Sequence, residues 1–411
     1  MFKKLKRKIK DLQRWKARHR VFSWPAYGKW VEEIKQDKSQ FVPFTDKPYQ
    51  RKEGDVKIFA YYLTQFHAIP ENDDAHGKGF TEWTNVASAQ PHFVGHYQPK
   101  SPYDLGFYNL LMPGVMERQV EITKAYGVYG FCFYYYWFSG KKVLEKPLEY
   151  WLEHKEIDFH YHFCWANENW SKLWDGGNQE LIFEQKLREG DAEKFFNDIL
   201  PYIKDERYEK IDNKPMLMIY RPSLFDKEKF LNFLAHLEEL AKQHGFDGFY
   251  ITFSNRNYKG EEMDPRCWGN YAQIEFPPHE INEYCKEMRG VQRLVPDASF
   301  VVLSMENFID KKLYLQDKPY EVFKACFPGW DNTPRKAYSG GWCFRLSNEQ
   351  FAIWLSDIIR WTKDNHPINK QYVYINAWNE WGEGAILEPT LREGYRNLEI
   401  VKECIENKSV Y

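Results

Sequence analysis

The sequence predicts an α/β protein, a (β/α)8 TIM barrel with long βα-loop insertions, on three observations. Eight short apolar or β-branched runs recur along the chain, and most end in a polar or indole residue suited to chemistry. Helix-like stretches separate several of them, which implies parallel strands joined by crossovers, and eight such repeats suggest closure into a barrel. The length of 411 residues, at 43% hydrophobic and 28% charged, supplies a large core. The runner-up, an open doubly wound sheet, lacks its Gly-rich phosphate loop after the first strand.

Taken in order, KIFAYYLTQFH (57–67) is the first strand and carries His67 at its tip. YGFCFYYYW (129–137) ends at Trp137, and FHYHFCWANENW (159–170), PMLMIYR (215–221) and FYITFSN (249–255) follow. YAQIEF (271–276) is a weaker sixth; FKACFPGWDN (323–332) and YVYINAWNE (372–380) complete the set. Helices are expected at 113–126, 144–154, 191–203, 226–243 and 347–364. Loops at 68–109, 166–190 and 255–320 are long enough to shape a cleft on the C-terminal rim. Residues 55–411 therefore form the barrel domain, 21–54 a connecting segment and 1–20 a separate arm.

The arm concentrates charge. Residues 1–20 hold ten Lys or Arg against Asp11 alone, a local +9, which leaves −11 for the other 391 residues out of a total of −2. Phe2, Leu5, Ile9, Leu12 and Trp15 recur among the bases at helical spacing, the pattern of a basic amphipathic helix on an anionic membrane surface. A solvated basic arm is the plainer alternative, and the acidic remainder argues against nucleic acid as a partner. Neither a signal-type apolar segment nor a bilayer-length apolar run is present in the sequence. The seven cysteines are odd in number and widely spaced, as reduced thiols are. A cytoplasmic location, peripheral at the inner membrane face, is the expectation.

The chemistry concentrates in WNEWGEG (378–384), where Glu380 and Glu383 stand three residues apart and Gly382 and Gly384 allow a tight bend. Two neighbouring carboxyl groups titrate as a coupled pair, one acid and one base, the division of labour that glycosidic bond cleavage needs. Solvated loop glutamates are the plainer reading; Trp378, Asn379 and Trp381 weigh against it. Three further clusters reach the same rim: Glu82, Trp83 and Asn85 in GFTEWTNV, Trp165, Asn167, Glu168 and Asn169 in WANENW, and Trp330, Asp331, Asn332 and Arg335 in GWDNTPR. Amides, carboxylates and guanidinium groups beside indoles suit a site that grips vicinal hydroxyls. Arg221 either clamps a substrate group or pairs with a rim acid, and His67 is either a hydroxyl donor or a strand-end histidine. The 18% aromatic content fits sugar-stacking walls, an aromatic-rich core or a partner interface. No side chains have metal-site spacing, so neither a metal nor a cofactor is expected.

YYLTQFHAIPENDDAHGKGFTEWTNV, HYQPKSPYDLGFYNL, GFCFYYYWFSGKKVLEKPLE, FCWANENWSKLWDGG, GWDNTPR and WNEWGEG together resemble the WbsX-type family of bacterial polysaccharide-locus proteins over roughly residues 55–405. That family is labelled as glycosyltransferases and is related in sequence to glycoside hydrolase family 99. The resemblance implies a (β/α)8 barrel acting on α-glycosidic bonds with retention, as family 99 does within mannose chains. It implies that Glu380 assists the sugar's own 2-hydroxyl to attack the anomeric carbon, giving a 1,2-anhydro sugar. Glu383 is then acid toward the leaving group and base toward the acceptor. Gly382 stands where family 99 often has His, so the mannose preference is not carried over. The implied function is glycosyl transfer in O-antigen or capsule biosynthesis on an oligosaccharide or lipid-linked glycan. A retaining endo-α-glycosidase and an inactive glycan-binding scaffold are the alternatives, and the sequence lacks the nucleotide-phosphate site that a sugar-nucleotide donor would want.

Overall fold

Strands buried on both faces read as mainly apolar runs, and the barrel strands do, with buried polar exceptions such as His162, Thr252 and Gln273. The computed structural model describes residues 28–29, 32–33, 37–171, 180–256, 264–269, 271–295, 298–336 and 339–408, so the basic arm at 1–20 lies outside the described residues. The strands are β1 (Lys57–Tyr62), β2 (Gly130–Phe138), β3 (His160–Trp165), β4 (Lys214–Ile219), β5 (Tyr250–Ser254), β6 (Ala272–Ile274), β7 and β8 (Tyr372–Ile375). Strand β7 comes in two pieces, Val322–Phe323 and Ala325–Cys326, on either side of Lys324. Strands β1 to β6 pair with their chain neighbours in parallel, and β8 pairs with β1. The first piece of β7 pairs with β6 and the second with β8, so the eight strands close on themselves.

The interior is filled by rings. Period-two alternation turns Phe59, Tyr61, Tyr134 and Tyr374 inward, with Tyr61 stacked 6.2 Å from Tyr134 and 5.7 Å from Tyr374. His162 hydrogen-bonds Tyr374 at 3.1 Å, and the smaller Cys132 lies 3.9 Å from its ring nitrogen. Gly130 makes this packing possible at the start of β2, because a Cβ there would lie 2.4 Å from the Phe59 ring and 2.7 Å from the His160 carbonyl oxygen. Much of the aromatic content is therefore core.

The outer layer holds α1 (Val115–Ala125), α2 (Lys146–Glu153), α3 (Asp191–Ile203), α4 (Lys227–Gln243), α5 (Asn348–Asn365) and α6 (Arg396–Ile405). The first five fall where the apolar period placed them. The last, which buries Leu398, Val401 and Ile405, shows the same spacing and adds to the expected helices. Two further departures shape the rim. The segment after β6 contributes Lys286–Glu287 and Ser299–Ser304 to a four-stranded sheet with Trp330–Asp331 and Ser339–Arg345. FKACFPGWDN is accordingly two elements: Pro328 and Gly329 break the run after Cys326, and Trp330 crosses to this second sheet. From the connecting segment, Val42 bridges to Gly394, and the Phe44 ring packs on Tyr126 and Tyr395.

Gly130→Ala should destabilise the fold by about 1–3 kcal/mol through overpacking against Phe59 and the His160 carbonyl. Denaturant unfolding measures this, and a variant as stable as the parent would mean the barrel wall adjusts freely there.

Candidate active site

Strand β8 ends at Ile375, and the acidic turn beyond it is a small hairpin. Asn379 and Glu380 pair antiparallel with Ile386 and Ala385, a 3-10 turn spans Trp381–Glu383, and Gly384 closes it at φ 64° in the left-handed region. The Asn379 side-chain amide works as an extra peptide group: its Oδ1 accepts from the Leu63 N–H at 2.8 Å and its Nδ2 donates to the Leu63 carbonyl at 3.0 Å. That clips the hairpin to the end of β1. On another side the Trp381 indole donates to Glu388 at 2.6 Å, and Glu388 also accepts from Gln119 at 2.7 Å and Tyr108 at 2.9 Å. Burial pushes the Glu388 carboxyl up to about 7, with the indole and amide donors pulling the other way. Lys100 donates to the Gly384 carbonyl at 2.9 Å.

Arg335, on the short helix Thr333–Lys336, gathers the acids. Its Nε donates to Glu82 Oε1 at 2.8 Å, its Nη2 to Glu380 Oε2 at 2.7 Å, and its Nη1 lies 2.8 Å from Glu383 Oε1. Three carboxylates around one guanidinium leave an excess of negative charge in a desolvated place. Burial first, then repulsion from Glu383 and Glu82, pushes Glu380 up to about 8 against the pull of Arg335. Burial disfavours the Arg335 charge, yet the three acids more than offset that and hold it protonated.

Gly382 serves space rather than bending. A Cβ there would lie 1.7 Å from Glu82 Oε1 and 2.9 Å from Arg335 Nε, so the Glu82–Arg335 pair occupies the volume a side chain would need. Gly384 supplies the bend that both glycines were expected to share.

Glu380 and Glu383 open into a cleft of about 670 Å³ lined also by Tyr134, Tyr136, Trp170 and Phe276. It continues past Glu383, Tyr220 and Phe276 into an outer groove of about 860 Å³ bordered by Arg256, Trp330, Asn332 and Trp342. Glu383 lines both compartments and Glu380 only the inner one.

The structure thus brings Glu82, Arg335, Glu380 and Glu383 together, with Trp330 and Asn332 in the adjoining groove. Trp137, Trp165 and Trp378 do not face the cleft, which corrects the expectation that they belong to the binding site. Each is fully buried: Trp137 donates to Asp198 of α3 at 2.8 Å, Trp165 packs on Phe195 and Phe233, and Trp378 on Phe131. The cause is parity. Tyr134, Tyr136 and Cys164 face inward, so Trp137 and Trp165 must face the helices.

Other rim residues hold loops. Asn167 clips the Arg221 backbone through two 2.7 Å bonds, Arg221 and Arg256 both reach Glu168 Oε1 at 3.4 and 3.0 Å, and Asn169 accepts from the Gln185 N–H. The Trp83 indole donates to the Tyr108 carbonyl, Asn85 is buried on its helix, and buried His67 has its pKa pushed down to about 4. Asp331 accepts from His96 at 2.5 Å, Gln98 at 2.6 Å and Thr333 at 2.7 Å, and these partners outweigh burial to hold its carboxyl far below the usual range. Among the described residues, His96, Asp331 and Cys343 alone cluster as metal ligands would; His96 is there hydrogen-bonded to Asp331, and Cys343 stands opposite Asp331 in the second sheet. Sequence reasoning missed Gln65, Tyr134, Tyr136, Trp170, Tyr220 and Phe276 in the cleft and Glu388 beneath the turn.

Comparisons with known proteins bear on the same residues. A family model described as Glycosyltransferase WbsX matches residues 58–401. Two relatives, both named Uncharacterized protein WxcX and from two strains of Xanthomonas campestris pv. campestris, are 36% identical over 349 residues, 85% of this chain and 49% of theirs. The chain spans about half the length of the curated relatives it matches. Among solved structures, a GH99 endo-alpha-mannosidase from Bacteroides thetaiotaomicron, in complex with bis-tris propane, superimposes with TM-score 0.50 at 11% identity, covering 85% of this chain and 96% of its own. A glycoside hydrolase-like protein superimposes with TM-score 0.52 at 12% identity, covering 90% and 99%. Both place the fold with the glycosidase-type barrels.

Two outcomes follow from the acid cluster. Arg335→Met leaves Glu82, Glu380 and the half-buried Glu383 without their shared cation and should cost about 3–5 kcal/mol at neutral pH, with partial recovery near pH 5 as the acids protonate; equal stability at both pH values would contradict the charge argument. Because the folded Glu380 holds its proton more tightly than the unfolded chain does, its contribution is complete below the ordinary glutamate range. That contribution is lost as pH rises through about 8. Thermal melts of Glu380→Gln should therefore lose part of the alkaline fall-off seen in the parent, whereas an unchanged slope would assign that proton elsewhere.

Proposed function

The chain is a carbohydrate-active enzyme of the WbsX glycosyltransferase family, and on that premise we propose that it transfers glycosyl units in surface-polysaccharide assembly through Glu380 and Glu383, with retention of configuration. The observation that carries the proposal is their asymmetric placement on one guanidinium: Glu380 in the inner cleft, Glu383 at the boundary with the outer groove.

In this reading the donor sugar fills the inner cleft. Its 2-hydroxyl gives a proton to Glu380 while the hydroxyl oxygen attacks the anomeric carbon, and the glycosidic C–O bond breaks. Glu383 delivers a proton to the departing oxygen, which lies toward the groove. An incoming hydroxyl then gives its proton to Glu383 and opens the 1,2-anhydro ring, and Glu380 returns its proton to O2. Arg335 engages one oxygen of each glutamate, leaving the other for these transfers. Burial and the neighbouring acids make ionised Glu380 a stronger base than an ordinary carboxylate, at the cost of a smaller ionised fraction at neutral pH. A sugar hydroxyl seated against Trp342 and Trp330 in the groove would capture the intermediate in place of water. Capture by water instead would make the chain a retaining endo-α-glycosidase, for which the groove gives an aglycone chain room.

The test is incubation with lipid-linked and free oligosaccharides, with and without nucleotide sugars, followed by mass spectrometry of the products. Chain extension supports transfer, shortening supports the glycosidase reading, and no product from any donor would return the protein to the scaffold class. With a turned-over substrate in hand, Glu380→Gln and Glu383→Gln should each lower kcat by roughly 10²–10⁴-fold. A glycosyl fluoride, which needs little protonation on departure, should partly restore Glu383→Gln and leave Glu380→Gln inactive; the reverse pattern would exchange the two roles. Because Glu380 acts as a base, kcat/KM should climb as pH rises toward about 8, and this limb should disappear in Glu380→Gln.

A further inference from the structure

Beyond the reacting groups, we propose that the loop between β1 and α1 is a membrane-docking face: its exposed apolar knuckle of Phe107, Leu111 and Met112 enters the interfacial zone of an anionic bilayer and holds the cleft mouth at the lipid surface. These side chains are 57%, 42% and 58% exposed, whereas Tyr108 and Leu110 between them are 6% and 0% exposed. The Leu110 N–H donates to the Phe66 carbonyl at 3.1 Å, and the Leu111 N–H donates to Asn109 Oδ1 at 2.9 Å. Backbone bonds and buried alternates thus fix a loop that turns its apolar side chains to the outside. Single exposed apolar residues are ordinary; three within six positions of an anchored loop mark a contact surface.

Two observations choose the occupant. The first is position. The Phe107 ring lies 5.1 Å from Trp83, whose ring lies 5.4 Å from Trp381 in the acidic turn, so two indoles separate the knuckle from the paired glutamates. The second is charge. Tyr103 of the same loop packs on Phe41 at 5.3 Å, and the sequence before Phe41 opens with twenty residues of net charge +9. Apolar insertion combined with cationic attraction is the pair of signals that gives stable interfacial binding. An anionic bilayer answers both features, and it would present a lipid-linked chain directly to the cleft.

The experiment is co-sedimentation of the full chain with vesicles of phosphatidylglycerol and phosphatidylcholine, and with phosphatidylcholine alone. The wild type should bind the anionic vesicles. Combined Phe107→Ser, Leu111→Ser and Met112→Ser should weaken partitioning by about tenfold or more at low and high salt with an unchanged circular-dichroism melt, because the three side chains are exposed. Deleting residues 1–20 should remove only the salt-sensitive part. As a second measurement, an environment-sensitive dye on Met112→Cys, in a background where exposed Cys267 is changed to Ser, should shift to the blue on adding anionic vesicles. A triple variant that sediments like the wild type, a dye that does not shift, or a wild-type dimer that the triple variant dissociates would each overturn the docking face. No glycan enters this assay, so its outcome stands apart from that of the catalytic reading.

Discussion

Arg335 holds one positive charge against three acids, two of them buried, and the rim of the barrel is arranged around that imbalance. A guanidinium offers a planar fork of donors, and here each of its three nitrogens meets a different acid: Glu82, Glu380 and Glu383. The acids come from separate parts of the chain, so the turn after β8, the helix beginning at Glu82 and the segment after β7 must all be placed to a fraction of an ångström. Asn379 meets that demand by tying the turn to β1, Glu388 by anchoring the Trp381 indole, and Gly382 by having no side chain. The acidic turn is thus positioned by residues that do not line the cleft.

The barrel was legible because it rests on periodicities that the sequence displays openly. Eight apolar runs with helices between most of them admit few topologies, and the handedness and shortness of crossovers prune the rest. Two elements were hidden for physical reasons. The second sheet is assembled from strands of two to seven residues whose pairing is non-local, and no local pattern encodes such pairing. The break after Cys326 hid inside an apolar run that reads as continuous strand.

The candidate site was legible in its chemistry and less so in its orientation. Glu380, Glu383, Glu82 and Arg335 were identified because charged groups between indoles and glycines are hard to explain as core. Which aromatic rings face the cleft was not available, because GFCFYYYWF is apolar at every position and has no polar face to set the parity. Size drew attention to Trp137 and Trp165, whereas alternation assigns the inward places to Tyr134, Tyr136 and Cys164. One fixed reference would have resolved it: once Tyr61 and Tyr134 are known to stack across the interior, every second residue of β2 follows.

The same imbalance separates two glutamates that the sequence leaves equivalent. Both touch Arg335 through one oxygen at nearly equal distance, so the guanidinium alone would treat them alike. Solvent is what distinguishes them. The Glu380 side chain is 6% exposed and borders only the inner cleft, while that of Glu383 is 22% exposed and borders the groove as well. In the desolvated place, the excess negative charge is relieved by keeping a proton, and Glu380 is where burial makes that least costly. Glu82 contributes to this without facing the reaction, since its charge adds to the repulsion that raises Glu380. A substrate hydroxyl entering the inner cleft would therefore meet an acid–base group tuned by its surroundings, and a leaving or arriving oxygen in the groove would meet one in contact with solvent. Two carboxyl groups three residues apart thus stand in different surroundings, because Glu383 borders the outer groove as well as the inner cleft.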